Sequence, residues 1–477
     1  LDTLLWILAF GISGALSLFA AGHALLMKRD PRSALGWIVV ALILPLIGPL
    51  LYWSMGINRI SRKARRWQES GRRLSGYGAF QVSHQANASP IIPCETSHLR
   101  ELRLLSDRIV TTSLTAGNRL TAFHNGEQAY PAMLEAVAAA RKTVHLSTYI
   151  FDGDKTGRSF VEALRDAATR GVEVRVIVDG LGEKYSRPTA RKLLHGSKVQ
   201  IERFLPMRQG GRLNLRNHRK ILIIDGKIGF SGGMNIGGRH MVEPPETSSP
   251  VVDMHFRIEG PVVTDLQKVF LEDWFFVTGN LLDDRRYFPP LATAGPSQVR
   301  AIADGPDKEF RKLSWIVMGA LSCAGKRVQI MTPYFIPDRA LISALITTAM
   351  RGVEVSLILP ARNNLPMVHW ATRSYLWELL QSGIRIYYQP APFVHTKLFI
   401  VDGLWSLIGS ANLDPRSLRL NFELNMEIYD CEFNGMLEMH FQETRSRSRE
   451  ISLAEMDGRP LPEKLRDGAA KLLSPYL

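Results

Sequence analysis

Two long apolar runs open the chain, Leu4 to Met27 and Ala34 to Met55, neither carrying a charge, each about the length that crosses a bilayer core. Lys28-Arg29-Asp30-Pro31-Arg32 separates them. A cleaved leader fits poorly: the apolar region is too long, Asp2 stands where a base belongs, and a second run follows at once. Pro45, Gly48 and Pro49 would break a soluble helix but are tolerated in a membrane one. Tyr52 and Trp53 read as an interfacial aromatic anchor. We therefore expect a two-span transmembrane helical hairpin over residues 1–58, with a re-entrant hairpin as the alternative. Arg59, Arg62, Lys63, Arg65, Arg66, Arg72 and Arg73 outnumber the three bases between the runs, which assigns them and the long C-terminal portion to the cytoplasm. The first residue is Leu1 rather than Met, as trimming or an unusual start codon would give.

Beyond this hairpin the periodicity changes. Residues 59–97 read as a basic juxtamembrane segment and a linker rich in Gly, Ser, Ala and Pro. The pattern then alternates between helix and strand. Pro131 to Arg141 is helical, Val144 to Phe151 a strand, Ser159 to Arg170 a helix leading into the buried strand of Gly-Val-Glu-Val-Arg-Val-Ile-Val-Asp. The order recurs as a helix Lys312 to Cys323, a strand Val328 to Tyr334, a helix Arg339 to Met350 and Gly-Val-Glu-Val-Ser-Leu-Ile-Leu-Pro. RGVEV itself occurs twice, at 170–174 and 351–355. The expected fold class is α/β, two related domains at 98–288 and 289–477 packed as pseudo-twofold halves around mixed or parallel sheet. The seam falls in the proline-rich stretch between Gly279 and Val299.

Composition narrows the partners. Lys+Arg number 59 against 45 Asp+Glu, a net +14, which suits an anionic partner. The two apolar runs favour a membrane over nucleic acid, for they bring no benefit to a protein acting on a soluble polyanion. Cys94, Cys323 and Cys431 are scattered, consistent with a reduced compartment and no zinc site. No H-E-x-x-H, carboxylate pair or Gly-rich nucleotide loop calls for a metal or a nucleotide cofactor.

The chemistry is concentrated in a duplicated motif. His218, Lys220 and Asp225 stand in H-x-K-x4-D spacing, and His395, Lys397 and Asp402 repeat it. Each copy is followed by a small-residue turn ending in Asn235 or Asn412. In a strand, residues i and i+2 project together, so each His points with its Lys while Arg219 and Thr396 face away. Asp225-Gly226 and Asp402-Gly403 sit between apolar runs, the signature of a tight hairpin turn, and this favours a structural role for both carboxylates. Two lysines and two Asn amides converging on a phosphodiester would offset its growing negative charge. One imidazole can attack phosphorus while the other manages protons. Asp253 and Glu423, 35 and 28 residues past the first and second motif histidines, are candidates for holding those rings. His145 and His255 read as core or buried polar residues, and His23 as a tolerated polar group in the first run. The segment Arg203–Arg216 mixes bases with Phe204, Leu205, Met207, Leu213 and Leu215, and fits either a loop dipping into an anionic interface or an ordinary covering loop.

The duplicated H-x-K-x4-D with its trailing Gly-x-x-Asn resembles the phospholipase D superfamily. Thr-Pro-Tyr-Phe-Ile-Pro-Asp at 332–338, the string from Gly409 to Glu423 and the N-terminal runs are similar to bacterial cardiolipin synthases in particular. The resemblance covers nearly the whole chain. It implies an enzyme of the inner membrane that joins two phosphatidylglycerol molecules into cardiolipin, releasing glycerol through a phosphatidyl-histidine intermediate without a metal. It makes His218 and His395 nucleophile and general acid/base, His218 the preferred nucleophile. It also places Lys220, Lys397, Asp225 and Asp402 in the catalytic motif, and Asn235, Asn412 and Ser410 at the phosphate. Gly233 stands where the second copy has Ser410, which leaves the first half one hydroxyl short.

Overall fold

A computed structural model of the chain describes residues 2–28, 31–56, 98–205, 215–305 and 311–474. They belong to two compact units, Leu1–Trp67 and Gln68–Leu477. The basic segment and linker expected at 59–97 lie outside the described residues.

In the N-terminal unit, α1 (Asp2–Met27) is followed by α2 (Pro31–Ile43), α3 (Ile47–Leu51) and a π-turn at Tyr52–Gly56. Among the described residues one helix is long and apolar enough to cross a membrane, the 22-residue stretch Trp6–Met27 of α1. The second expected span is not one helix. Its 13-residue α2 is only about 20 Å long, short of a ~30 Å hydrocarbon core. The chain turns at Pro45, which lacks an N–H, and Leu46 adopts φ 68°. Gly48 then packs so tightly that a Cβ would fall 2.2 Å from the Val40 carbonyl oxygen. The run folds back on α1: Tyr52 and His23 share a 2.7 Å hydrogen bond, Trp53 stacks on Phe19, and Lys28 Nζ donates to the Gly56 carbonyl at 2.5 Å. Both ends of the second run therefore lie beside residue 28, as in a re-entrant hairpin. Tyr52 is fully buried inside this unit rather than presented as an outer anchor.

The C-terminal unit is built on one large sheet, beside which Val251–Val252 and Phe393–Val394 form a separate two-stranded sheet. Its first half contributes β1 (Thr115–His124), β2 (Thr143–Thr148), β3 (Glu173–Asp179), β4 (Gln200–Phe204), β5 (Ile221–Ile224), β6 (Ile228–Gly232), β7 (Val251–Val252) and β8 (Met254–Glu259). The second contributes β9 (Ser297–Asp304), β10 (Arg327–Met331), β11 (Glu354–Pro360), β12 (Arg385–Gln389), β13 (Phe393–Val394), β14 (Leu398–Val401), β15 (Trp405–Gly409), β16 (Glu423–Tyr429) and β17 (Arg449–Glu450). The strand order is β17-β12-β11-β10-β14-β15-β16-β9-β1-β8-β6-β5-β2-β3-β4, a 15-stranded sheet among the described residues. Outward from the antiparallel β1–β9 pair the two halves repeat each other: β8-β6-β5-β2-β3-β4 one way, β16-β15-β14-β10-β11-β12 the other. Within each half three successive strands, β2-β3-β4 and β10-β11-β12, run parallel and the other pairs, β17 on β12 included, antiparallel.

Local sequence explains these elements. The apolar runs ILII and LFIV are buried on both faces as β5 and β14. Asp225-Gly226 and Asp402-Gly403 turn the chain with positive φ at all four residues (52°, 64°, 56° and 70°), the two-residue hairpin geometry that Asp-Gly favours. The crossover helices Lys155–Thr169 and Arg339–Met350 are N-capped by Asp154 and Asp338, which accept from the Gly157 and Leu341 amides.

Candidate active site

The two histidine segments leave their own hairpins and pair with the opposite half. Asn217 bridges to Phe422, with the His218 amide donating to the Phe422 carbonyl at 2.9 Å and the Phe422 amide to Arg216 at 2.8 Å. In the other copy β13 runs parallel to β7, and the His395 amide donates to the Val252 carbonyl at 2.7 Å. Each histidine is thus set beside the residue that precedes the other half's carboxylate. His218 Nδ1 lies 3.1 Å from Glu423 Oε2 and 3.1 Å from the Ser410 carbonyl. His395 Nδ1 lies 2.8 Å from Asp253 Oδ2. The sequence reading assigned each carboxylate to the histidine before it in its own half. The structure exchanges them, because pairing of 217 with 422 and of 394 with 252 fixes the register. The two rings stand 6.5 Å apart at 74°.

Proton placement follows from these partners. Two acceptors face His218 Nδ1, so that nitrogen carries the proton and Nε2 keeps its lone pair. At His395, Lys397 Nζ also lies 2.8 Å from Nδ1. One nitrogen cannot donate to the carboxylate and accept from the ammonium at once. Lys397 has the His395 carbonyl as its own acceptor, so Nδ1–H is assigned to Asp253. Among the described residues neither Nε2 has a protein partner.

Burial sets the electrostatics. Lys220 and Lys397 are nearly enclosed, 2 % and 6 % exposed. Loss of water brings the Lys220 ammonium down to about 7, with Glu423 opposing and Lys397 adding to the shift. Lys397 is brought down to about 8 by the same burial against the pull of Asp253. Burial lowers His218, with Glu423 resisting. It lowers His395 well below the ordinary range, helped by Lys397 and Lys220. Burial pushes Glu423 up, yet His218 and Lys220 bring it net below its usual value, whereas Asp253 stays raised by burial. The cleft thus holds two neutral imidazoles and two lysines poised near neutrality, a setting in which an added negative charge would favour their protonated forms.

The other expected residues are distributed unevenly. Asn235 turns Oδ1 to the Ile150 amide at 3.1 Å, which leaves its NH2 as the free donor end. Asn412 has a buried Oδ1 without a partner among the described residues and directs its amide to Asp414. Ser410 Oγ donates to Glu423 Oε2 at 2.5 Å and accepts from the Leu424 amide at 2.9 Å. Gly233 is explained by the same contact. A Cβ there would fall 2.3 Å from Asp253 Oδ1, so the shorter Asp needs Gly at the position where the longer Glu423 is met by Ser. Asp225 and Asp402 do not reach the cleft. Each sits at the far end of the strand that its histidine segment leads into and collects backbone amides, Asp225 from Arg141, Lys142 and Thr143 and Asp402 from Gly325, Lys326 and Arg327. These carboxylates tie the hairpin to the start of β2 or β10. Phe204, Leu205 and Leu215 are buried rather than interfacial, Phe204 lying against Phe276 and Phe422. Met207 and Leu213 lie outside the described residues.

Three features escaped the sequence reading. Tyr149 and Tyr334, at equivalent places after β2 and β10, pack their edges on His218 and His395 with ring centroids 5.5 and 6.1 Å away. The shared Thr-x-Tyr/Thr-Tyr pattern behind each strand was the available signal. Arg219 is buried and donates to Asp273 at 2.5 Å and to the Glu423 carbonyl at 3.1 Å, clamping the first histidine segment to the second half.

Two α/β halves that share one sheet and one cleft, each giving a His and a Lys, define a protein of the phospholipase D class. The family profile described as "Cardiolipin synthase, PLD-like domain" matches residues 133–274 and 317–445, and that described as "Phospholipase_D-nuclease N-terminal" matches 15–56. The chain belongs to the cardiolipin synthase family of the phospholipase D superfamily. It is 31% identical over 472 residues to a probable cardiolipin synthase of Bacillus subtilis, covering 96% of this chain and 92% of that one. It is 32% identical over 468 residues to cardiolipin synthase 1 of Staphylococcus epidermidis, covering 94% of each. Among solved structures, phosphatidylserine synthase of Haemophilus influenzae shares the fold, with TM-score 0.61 and 16% identity over 79% of this chain and all of that one.

Proposed function

We propose that this chain is a phosphatidyltransferase that makes cardiolipin and glycerol from two phosphatidylglycerol molecules. The observation that carries the reading is the cleft itself: two imidazoles 6.5 Å apart, each held at Nδ1 by the opposite half's carboxylate, over two buried lysines. In the proposed course His218 Nε2 attacks phosphorus. The bond to the glycerol oxygen breaks, and His395 supplies the proton that the leaving alkoxide takes. Lys220, Lys397 and the Asn235 amide offset charge on the non-bridging oxygens, while Glu423 stabilises the developing charge on His218. The terminal hydroxyl of a second phosphatidylglycerol then loses its proton to His395 and attacks the phosphatidyl-histidine, releasing His218. The entering phosphodiester and Asp253 together favour the protonated His395 that the first step requires.

The site of action follows from the N-terminal unit. We place the protein in the bacterial inner membrane with α1 spanning and the second apolar run re-entrant. That arrangement puts Lys28, Arg29 and Arg32 on the same side as the cluster from Arg59 to Arg73, so all the flanking bases meet the cytoplasm with the catalytic unit. The reaction is tested by incubating detergent-purified protein with labelled phosphatidylglycerol. Cardiolipin plus glycerol is the expected product pair. Phosphatidic acid would mean that water is the acceptor, and no turnover would leave a lipid-binding protein.

A further inference from the structure

The helix Leu461–Leu472 is turned the wrong way round for a soluble protein. Its acidic residues are tied to arginines: buried Asp467 accepts from Arg459 at 2.5 Å and Arg466 at 2.8 Å, and half-exposed Glu463 accepts from Arg373 at 2.7 Å. Its leucines face out, with Leu461, Leu465 and Leu472 being 68, 65 and 79 % exposed. At 100° per residue these three fall within one narrow stripe, and exposed Lys464 and Lys471 border it together on one flank. A surface helix of a globular domain ordinarily does the reverse.

The helix is also close to the cleft. Its Ala470 packs with Ile336, Val368 and Ala371, and Tyr334 lies against that cluster. Tyr334 in turn meets the His395 ring. Leu365 and Met367, at the start of the neighbouring helix Pro366–Gln381, are half-exposed as well.

We propose that the outward stripe of Leu461–Leu472 docks on an anionic lipid surface, leucines in the acyl boundary and lysines at the headgroups, beside the mouth of the cleft. The charge complementarity is specific, since both acidic side chains of the helix are paired with arginines and the exposed charges beside the leucines are lysines. The inference concerns the surface alone and stands whichever reaction the histidines carry out.

The test uses the full chain with Cys94, Cys323 and Cys431 replaced by Ser, spin-labelled through Leu465→Cys and reconstituted into phosphatidylcholine vesicles with or without phosphatidylglycerol. The control label is at exposed Met350, which precedes the start of β11, whereas Tyr334 follows the end of β10. The expected result is a severalfold rise in the oxygen-to-nickel accessibility ratio at position 465 in anionic vesicles, with position 350 remaining aqueous. Lys464→Glu with Lys471→Glu should return position 465 toward water. A label at 465 as wet as that at 350 in both vesicles overturns the proposal. So does a label already dry in detergent with spin–spin broadening, which would assign the face to a second copy of the chain.

Discussion

At the residue scale the cleft depends on how each carboxylate is seated. Gly233 leaves room for Asp253, and Ser410 fastens Glu423. Gly233→Ser should push Asp253 off His395 and lower kcat by about 10- to 100-fold, the usual reach of a residue that orients another, with the far-ultraviolet circular dichroism unchanged. Ser410→Ala removes the hydroxyl that donates to Glu423 and accepts from the Leu424 amide, and should cost about fivefold, near 1 kcal/mol. Equal effects would mean that the Gly/Ser difference is immaterial. The lysines make a pH prediction. Their values are lowered to about 7 and about 8, so the ammonium charge that attracts phosphate is lost as pH rises through this range. The free-enzyme profile, kcat/KM, should therefore decline above pH 7 to 8. A profile flat to high pH would remove the lysines from phosphate binding.

At the element scale, the Asp-Gly hairpins are separate from the chemistry. Asp402 is buried, but amides of Gly325, Lys326 and Arg327 and the ring of His98 hold its carboxyl net below its ordinary value. A depressed carboxylate adds stability above its unfolded pKa and loses it as pH falls through the folded one, so this contribution fades in acid. Asp402→Asn and Asp225→Asn should each destabilise by about 1–3 kcal/mol, the worth of charge-assisted hydrogen bonds. Denaturant midpoints should fall while kcat per folded molecule stays near the parent value. A drop in kcat at unchanged midpoint would return these residues to the reaction. The hairpins were legible because Asp-Gly between apolar runs has one favoured geometry. The helices Lys312–Cys323 and Arg339–Met350 were legible to the residue; Asp338 caps the second, whereas the first begins after Arg311 without a side-chain cap and is marked by its apolar pattern alone. That the second apolar run forms no single long helix was not legible, because composition gives apolar length but not where Pro45 reverses the chain.

At the scale of the whole molecule, one chain carries what a dimer of half-sites would. Both imidazoles and both carboxylates come from the same polypeptide, crossed between halves. His218→Ala and His395→Ala should each lower activity by about a thousandfold or more. Mixing the two variants should restore nothing, and recovery on mixing would place the paired rings on different chains.

The repeated H-x-K-x4-D, its Asp-Gly turns and the alternating helix and strand periods are local patterns, and the amino-acid sequence alone was enough to read from them two α/β halves and a pair of histidines. Tertiary structure decided which carboxylate holds which histidine, that β1 and β9 fuse the halves into one sheet, and that the second apolar run turns back. These are long-range pairings, in which register between distant strands, rather than any local propensity, selects the neighbour.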